Sequence, residues 1–507
     1  MRAFSLFYLF VTLGFLACGP NSPNRGQHSD SDSSAQIHLN AVFREIDREV
    51  REHSQAYPTL KQAIETIGHR LTGSPQGAQA EAFVYDYLKE NQLPEVEYFG
   101  FSVEAWSRIA VRFWVSANIG AGWEALPTVS LAHSPVRYSG EATIIDVTNG
   151  LREDFEVQKA AIPGSFVLMN LRLDGSQKPD SKNLHRTEKT ALAREYGAGG
   201  VIFANAVDGN VLLTGAASVT GAVLPIPAIC IGKETAEALR IRLAAGKVRG
   251  KIELENRAGE IEARNVIARI PGRELPAEKI IIGGHLDSWD LSTGAIDNGI
   301  GAFAVVEIAR IFQHLHLRPR RTVEFVLFMG EEQGLLGSKA YVKHLETSGK
   351  LDQVKYLFNL DMTGNPIGFR SMGRKEAESW LTKVGTMIFA IDSSFENHIR
   401  TQAGLHSDHQ PFMLKGIPVL GFQSALSPGV YNFYHSDGDN LELVNPEHLN
   451  RTVSRVGMVL YAMAETEKLP AKRMDSEATR KFLIAQELKE KLVLGQEWEW
   501  KDGSNAD

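Results

Sequence analysis

The stretch KIIIGGHLDSWDLSTGAIDNGIGA, residues 279–302, decides how this chain is read. It opens as an apolar run of strand length. It then turns into a segment of Gly, Ser and Thr that carries His285, Asp287 and Asp297. A continuous apolar run is what a strand buried on both faces requires, and such strands belong to parallel sheets covered by helices. In open α/β sheets, ligands bind beyond the carboxyl ends of the strands. The His and the two Asp fall at such an end. A packed core has no use for them there; a metal ion does.

The same pattern recurs downstream. NVIARI (265–270), RTVEFVLFMG (321–330), YLFNL (356–360) and IPVLGFQS (417–424) are further apolar runs. Amphipathic segments such as GAFAVVEIARIFQHL (301–315) and SWLTKVGTMIFAI (379–391) lie between them. Strands alternating with helices predict an α/β domain with a mostly parallel central sheet flanked by helices. Residues 35–92 read as mostly helical, and the alternation within 96–115 reads as strand. Between these parts, residues 130–258 carry shorter strand-like runs (ATIIDV, GSFVLMN, GVIFANA, PIPAICI) and one helix, KTALAREYGAGG. This is expected to be a small β-rich inserted domain. It has no tight cluster of His, Cys, Asp and Glu, so it is expected to shape or cover a site. The expected organisation is therefore a peptide-chain core in two parts, 35–129 and 259–468, around the insertion 130–258. A helical extension follows at 469–507, with the last residues, EWEWKDGSNAD, reading as a frayed end.

At 507 residues the chain is too long for one hydrophobic core. Its net charge of -7 and pI near 6.1 exclude broad attraction to nucleic acid. The opening MRAFSLFYLFVTLGFLAC (1–18) reads as an export signal. Residues 13–18 resemble a bacterial lipobox, which makes Cys18 an acylated mature N-terminus. The polar stretch 19–34 reads as a flexible tether. Together they predict a lipoprotein of the bacterial envelope, membrane-anchored and facing the periplasm or the exterior. The other cysteine, Cys230, lies in an apolar run and reads as a buried, inert thiol, which argues against a redox enzyme.

Four polar sites follow strand-like runs: His285 with Asp287, the pair Glu331–Glu332, Asp361, and later His435 in NFYHSDGDN (432–440). Asp297 enters from the loop before the next helix. Taken singly, each has an ordinary structural reading. A lone His is commonly a satisfied core residue, an Asp forms turns, and a Glu pair decorates a helix N-terminus. Jointly they are harder to explain without a cation. Carboxylates at close range repel and need a compensating positive charge. Two His with several carboxylates and no cysteine suit zinc or a similar divalent ion.

The segments HLDSWDLSTGAIDNGIGA, GEEQGLLGS, NLDMTG and YHSDGDN resemble the co-catalytic zinc exopeptidases of metallopeptidase family 28, especially its carboxypeptidase Q branch. Residues 130–258 resemble the protease-associated domain inserted in many members. The resemblance implies the zinc exopeptidase fold and two Zn2+ per chain. Asp297 would bridge the ions, His285 and Asp361 would complete one set, and Glu332 and His435 the other. Glu331 would be the general base, and Asp287 would hold the His285 tautomer. Asp439 would orient His435, and Tyr434 would lie near the substrate carbonyl. A cis peptide between Asp297 and Asn298 is a further family trait. In SDHQPF (407–412), Asp408 or His409 would bind a substrate terminus, unless the segment merely caps a helix. Arg370 and Arg374 are candidates for a free carboxylate. The implied substrates are short peptides or dipeptides, with a homodimer as the implied assembly. A hydrolase of a non-peptide amide, a glutaminyl-cyclase-like acyltransferase with one zinc, and a non-catalytic scaffold are the competing readings.

Overall fold

The computed structural model describes residues 27–117, 122–174 and 181–501, with the side chains of 27–35 excepted. The export signal and Cys18 lie outside the described residues. The chain forms two compact units, Met1–Val42 and Phe43–Asp507. A helix runs over Gln27–His53, so residues 27–34 of the expected tether are helical. No described helix is long and apolar enough to cross a membrane. Everything below concerns the second unit.

In chain order its strands are β1 (Glu95–Ser116), β2 (Glu124–Leu126), β3 (Val129–Ser130), β4 (Arg137–Asp146), β5 (Phe166–Asn170), β6 (Gly200–Ala204) and β7 (Ala228–Ile231). They continue with β8 (Arg249–Ile270), β9 (Leu275–His285), β10 (Arg321–Phe328), β11 (Val354–Asn359), β12 (Pro366–Arg370), β13 (His398–Arg400) and β14 (Val419–Ser424). The strand order is β13-β12-β14-β11-β9-β10-β8-β4-β5-β6-β7-β3, with β1 pairing β8 and β2 off this path. The centre is parallel, as the apolar runs predict: β10, β9, β11 and β14 are parallel neighbours. Its flanks are antiparallel, through β8 against β10 and β12 against β14. The sheet is thus mixed, which run composition alone does not reveal.

The burial of β9 explains its sequence. Ile280, Ile281 and Ile282 are fully buried. Ile281 packs with Val326, Leu357, Val342 and Phe412. Its neighbours point to the opposite face by strand alternation, where the helices Ile300–His314 and Pro446–Glu465 lie against β9 and β10.

The inserted region is carried on a two-stranded ribbon. β1 and β8, each 22 residues long, pair antiparallel from Glu95↔Arg269 to Ser116↔Arg249. One end of β8 pairs with β10 and the other with β4 of the insertion. The sequence boundary at 258 therefore falls inside a continuous strand. Beyond it, β4 to β7 are parallel neighbours with an apolar core on either face. Cys230 is buried there, and burial pushes its thiol up to about 12. The inert reading of that cysteine holds.

The C-terminal tail is not frayed as far as Lys501. Glu497 pairs with Lys339 at 2.5 Å, Glu499 with Lys415 at 3.1 Å, and Trp500 Nε1 donates to Ser476 Oγ at 2.9 Å. Trp498 and Trp500 cover the core cluster that includes Phe412 and Leu483. Alternating Trp and Glu in EWEW is an amphipathic pattern, one side packing and the other pairing with lysines.

One buried charge in the sheet carries a stability prediction. Glu324 on β10 has no exposure and receives Arg269 Nε (2.5 Å), Lys279 Nζ (2.8 Å) and Tyr341 OH (2.5 Å). Burial opposes its charge, but Lys279 and Arg269 hold its carboxyl below the ordinary range. Removing one member of such a group strands the others in low dielectric. Glu324→Ala is expected to cost about 3 kcal/mol, the low end for a broken buried pair, because Arg269 keeps Glu97 at 2.7 Å. A denaturant midpoint unchanged from wild type would contradict this.

Candidate metal centre

Three adjacent parallel strands end side by side. His285 closes β9 and is in register with Phe328 at the end of β10, while Asn359 at the end of β11 lies opposite Gly283. His285, the Glu331–Glu332 pair and Asp361 therefore leave neighbouring strand ends at one edge. Asp297 comes from the turn before the helix Ile300–His314, with φ/ψ of -112° and 93°, and its peptide bond to Asn298 is cis. His435 follows the short helix Val430–Phe433.

The five side chains converge. His285 Nε2 lies 3.2 Å from Asp297 Oδ1 and 3.5 Å from Asp361 Oδ1. His435 Nε2 lies 3.1 Å from Asp297 Oδ2 and 3.0 Å from Glu332 Oε2. One ligand atom from each of His285, Asp297 and Glu332 falls within a 4.8 Å group. His285 Nε2 and Glu332 Oε1 are buried without a hydrogen-bond partner. So His285 Nε2 is near two carboxylates but not aligned to bond with either. Buried polar atoms are rarely left so, and lone pairs aimed at a common point fit a cation. The donor set, imidazole and carboxylate without thiolate, fits zinc or a similar divalent metal.

Electrostatics agree. Burial works against charging His285, yet Glu331, Asp287, Asp297 and Asp361 raise its pKa well above the ordinary value. Burial works against Asp297 too, but His285 and His435 hold it below the carboxylate range. Burial, reinforced by Asp361, Glu332 and Asp408, pushes Glu331 well up. Protons balance the negative charge of the cluster when no cation does.

Asp287 is fully buried beneath His285. His285 Nδ1 is 3.1 Å from the Asp287 carbonyl oxygen and 3.7 Å from its Oδ1. The Asp287 carboxylate also accepts from Thr72 Oγ1 (3.1 Å) and from the backbone N–H of Glu331 (3.2 Å) and Glu332 (3.4 Å). The backbone carbonyl of Asp287 thus holds His285, and its carboxylate holds the glutamate turn rather than the His285 ring.

Asp439 does not orient His435, contrary to the sequence expectation. Its two oxygens accept the N–H groups of Ile296 (2.8 Å) and Asp297 (3.0 Å). It clamps the backbone that presents Asp297, and burial raises its pKa to about 7. Asn at 439 retains one acceptor oxygen and forfeits one clamp. Asp439→Asn is therefore expected to weaken metal affinity about 10- to 100-fold, the range for a lost supporting bond. Competition with a chelator of known affinity reads it, and an unchanged affinity would refute the clamp.

His435 is held instead by the insertion. Thr214 O lies 3.3 Å from His435 Nδ1, and Thr214 N–H donates to His435 O at 2.9 Å. Arg108 on β1 donates to Thr214 Oγ1 at 2.6 Å and pairs with both oxygens of Asp290 at 2.9 Å. Arg70, fully buried, donates to the carbonyls of Leu286 (2.6 Å), Thr293 (2.6 Å) and Gly294 (2.9 Å) and ties down the loop between His285 and Asp297. Sequence reading missed Thr214, Arg108, Asp290 and Arg70. Their partners are far away along the chain, and no local spacing signals them.

A cavity of about 520 Å³ opens onto Asp297, Glu331, Glu332, Asp361 and His435. Tyr434 lines it and stacks on His435, ring centroids 3.7 Å apart. Residues 185–188 of the insertion and Lys491 of the C-terminal extension complete its wall. Asp408 and His409 do not line it. Asp408 has no exposure, and burial raises its carboxyl to about 7. His409 Nε2 donates to the Gly404 carbonyl oxygen (3.0 Å), and burial pushes the ring down to about 4. His406, in the turn before the helix, and Gln410, within it, line the cavity in their place. Arg374 is likewise a structural residue, buried against Glu376 (2.8 Å) and the Lys472 carbonyl.

Residues 265–460 match the model of peptidase family M28, and residues 130–239 match that of the PA domain. The chain carries a peptidase family M28 domain. It is a metallopeptidase with an inserted PA domain, and the expected enzyme class and fold class both hold. Carboxypeptidase Q of Mus musculus is 24% identical over 92% of this chain and 99% of its own length. A peptidase M28 precursor from Shewanella amazonensis SB2B is similar in structure, with a TM-score of 0.73 and 23% identity over 86% of this chain and 99% of that one. BSAP, a zinc aminopeptidase from Bacillus subtilis, has a TM-score of 0.60 and 22% identity over 83% of this chain and 98% of that one. At these identities the two solved structures speak to the fold of this M28 chain alone.

Proposed function

We propose that the protein is a dinuclear zinc exopeptidase that hydrolyses terminal peptide bonds of short peptides. The reading rests on the division of Asp297. Its Oδ1 faces His285 at 3.2 Å and its Oδ2 faces His435 at 3.1 Å. Each histidine has a second carboxylate at hand, Asp361 in one case and Glu332 in the other. One carboxylate shared between two such pairs suits two ions better than one. Zinc held there would lower the pKa of water and polarise the scissile carbonyl.

The chain's own residues do the rest. Adjacent glutamates point apart, so Glu332 turns into the cluster while Glu331 faces the cavity. Glu331 takes a proton from water as its oxygen adds to the carbonyl carbon, then delivers that proton to the leaving amine as the C–N bond breaks. Tyr434 stands beside His435 at the wall where the carbonyl would lie. The limited cavity volume favours short substrates. The same proposal includes export and anchoring through Cys18, which rest on the sequence of residues 1–18.

The test is hydrolysis of paired unblocked, N-blocked and C-amidated dipeptides by zinc-loaded protein. Loss on N-blocking alone identifies an aminopeptidase, loss on C-amidation alone a carboxypeptidase, and loss on both a dipeptidase. Unblocked peptides left intact by protein holding two zinc ions would sink the peptidase reading.

A further inference from the structure

One wall of the cavity carries two arginines that no described residue neutralises. Arg370 ends β12 and Arg400 ends β13, and the two are direct register partners on parallel strands. Both side chains therefore leave the same face of the sheet, and both line the cavity that contains Asp297, Glu331 and Asp361. Both are exposed, and neither guanidinium makes an ion pair or hydrogen bond among the described residues. This is unusual here. Of the other cations at the cavity, Lys339 is held by Glu497 at 2.5 Å and Arg186 by the Ala216 carbonyl at 3.1 Å, while Lys491, on the helix Lys489–Leu494, stands apart from this strand pair. Like charges side by side across strands are destabilising. Gly421 on β14 is the register partner of Arg370 on its other side, so no side chain from that strand covers it.

We propose that Arg370 and Arg400 together receive a carboxylate of the peptide substrate and so set which peptides are cleaved. This rests on the exopeptidase reading and deepens it. Two forked guanidiniums match the geometry of a carboxylate, each offering paired N–H donors. Their place on strand ends, rather than on a loop, gives the carboxylate a fixed distance from the metal cluster. Arg400 sits on the three-residue edge strand β13, where no local sequence pattern singles it out. Two sources share this chemistry: the C-terminal carboxylate and an acidic side chain.

The experiment compares Ala-Ala, Ala-Ala-amide and Ala-Glu-amide, on wild type and on Arg370→Gln, Arg400→Gln and the double variant. Turnover is read as kcat/KM. Binding is read separately by calorimetry on zinc-loaded Glu331→Gln protein, with and without the arginine changes. The expected result is a preference for Ala-Ala over Ala-Ala-amide of about 10- to 100-fold, the scale of charge-assisted hydrogen bonds. That ratio should fall toward one in the double variant, in both turnover and binding. An advantage over Ala-Ala-amide shown by Ala-Ala alone would assign the pair to the C-terminus; one shown by Ala-Glu-amide alone would assign it to an acidic side chain. An advantage of Ala-Ala or of Ala-Glu-amide over Ala-Ala-amide that survives the double substitution would overturn the proposal, as would the absence of both advantages in wild type. Cleavage of all three peptides without preference would leave the exopeptidase reading standing while removing this one. Thermal melting of the variants confirms that the fold is intact.

Discussion

Replacing Glu331 by Gln should abolish turnover while leaving the metal in place. The expected loss is about 10²- to 10⁴-fold in kcat, the range for a positioned acid–base group. Gln is nearly isosteric but carries no exchangeable acid. The Glu331 backbone, which donates to Asp287 and accepts from Gly334 and Leu335, is untouched by the change. The turn that presents Glu332 therefore keeps its shape. The measurement is kcat beside metal content per chain. Loss of activity with full metal content supports the assignment. Loss of metal would make Glu331 a ligand, and retained activity would hand the proton to another group.

Asp297→Asn should produce the opposite pattern, losing metal first and activity as a consequence. The bridging position needs two anionic oxygens, and Asn offers one neutral acceptor and one donor. Removing a supporting bond alone costs about 10- to 100-fold in metal affinity. Loss of the shared ligand should cost at least about 100-fold, on the same scale, at both positions. The two histidines would also lose the carboxylate that balances them, His285 at 3.2 Å and His435 at 3.1 Å. Calorimetric zinc titration of the variant reads both steps. Retention of one tight equivalent would mean that Asp297 serves one ion and does not bridge.

The frame of this enzyme was legible in its sequence for a simple reason. A buried parallel strand must be apolar throughout, so the change from Ile282 to His285 marks both a strand end and a site. The same reasoning placed Glu331, Asp361 and the helix after Asp297. What escaped was contact made across the fold. Asp439 was assigned by nearness in sequence to His435, but its oxygens serve the backbone of residues 296 and 297. Thr214 supports His435 from a domain with no chemistry of its own. Asp408 looked available as part of a polar run, yet the turn before the helix His409–Leu414 directs it inward and leaves His406 and Gln410 at the cavity. Side-chain direction at a turn depends on backbone dihedrals, and composition does not encode those. The mixed character of the sheet was hidden similarly, because the part of β8 that pairs antiparallel with β10, Val266–Ile270, reads as one more apolar run.

The inserted domain acquires a definite role from this. It rides on the ribbon formed by β1 and β8, and Arg108 on that ribbon links Asp290 to Thr214 and hence to His435. The insertion thus forms part of the cavity wall and also steadies His435.

The most direct test of the account is a titration of metal-free protein with zinc, following hydrolysis of an unblocked dipeptide. The account predicts no cleavage in the metal-free protein and activity that reaches its plateau at two equivalents per chain. A plateau at one equivalent, or cleavage that persists in excess chelator, would contradict the shared role of Asp297 and with it the two-metal mechanism.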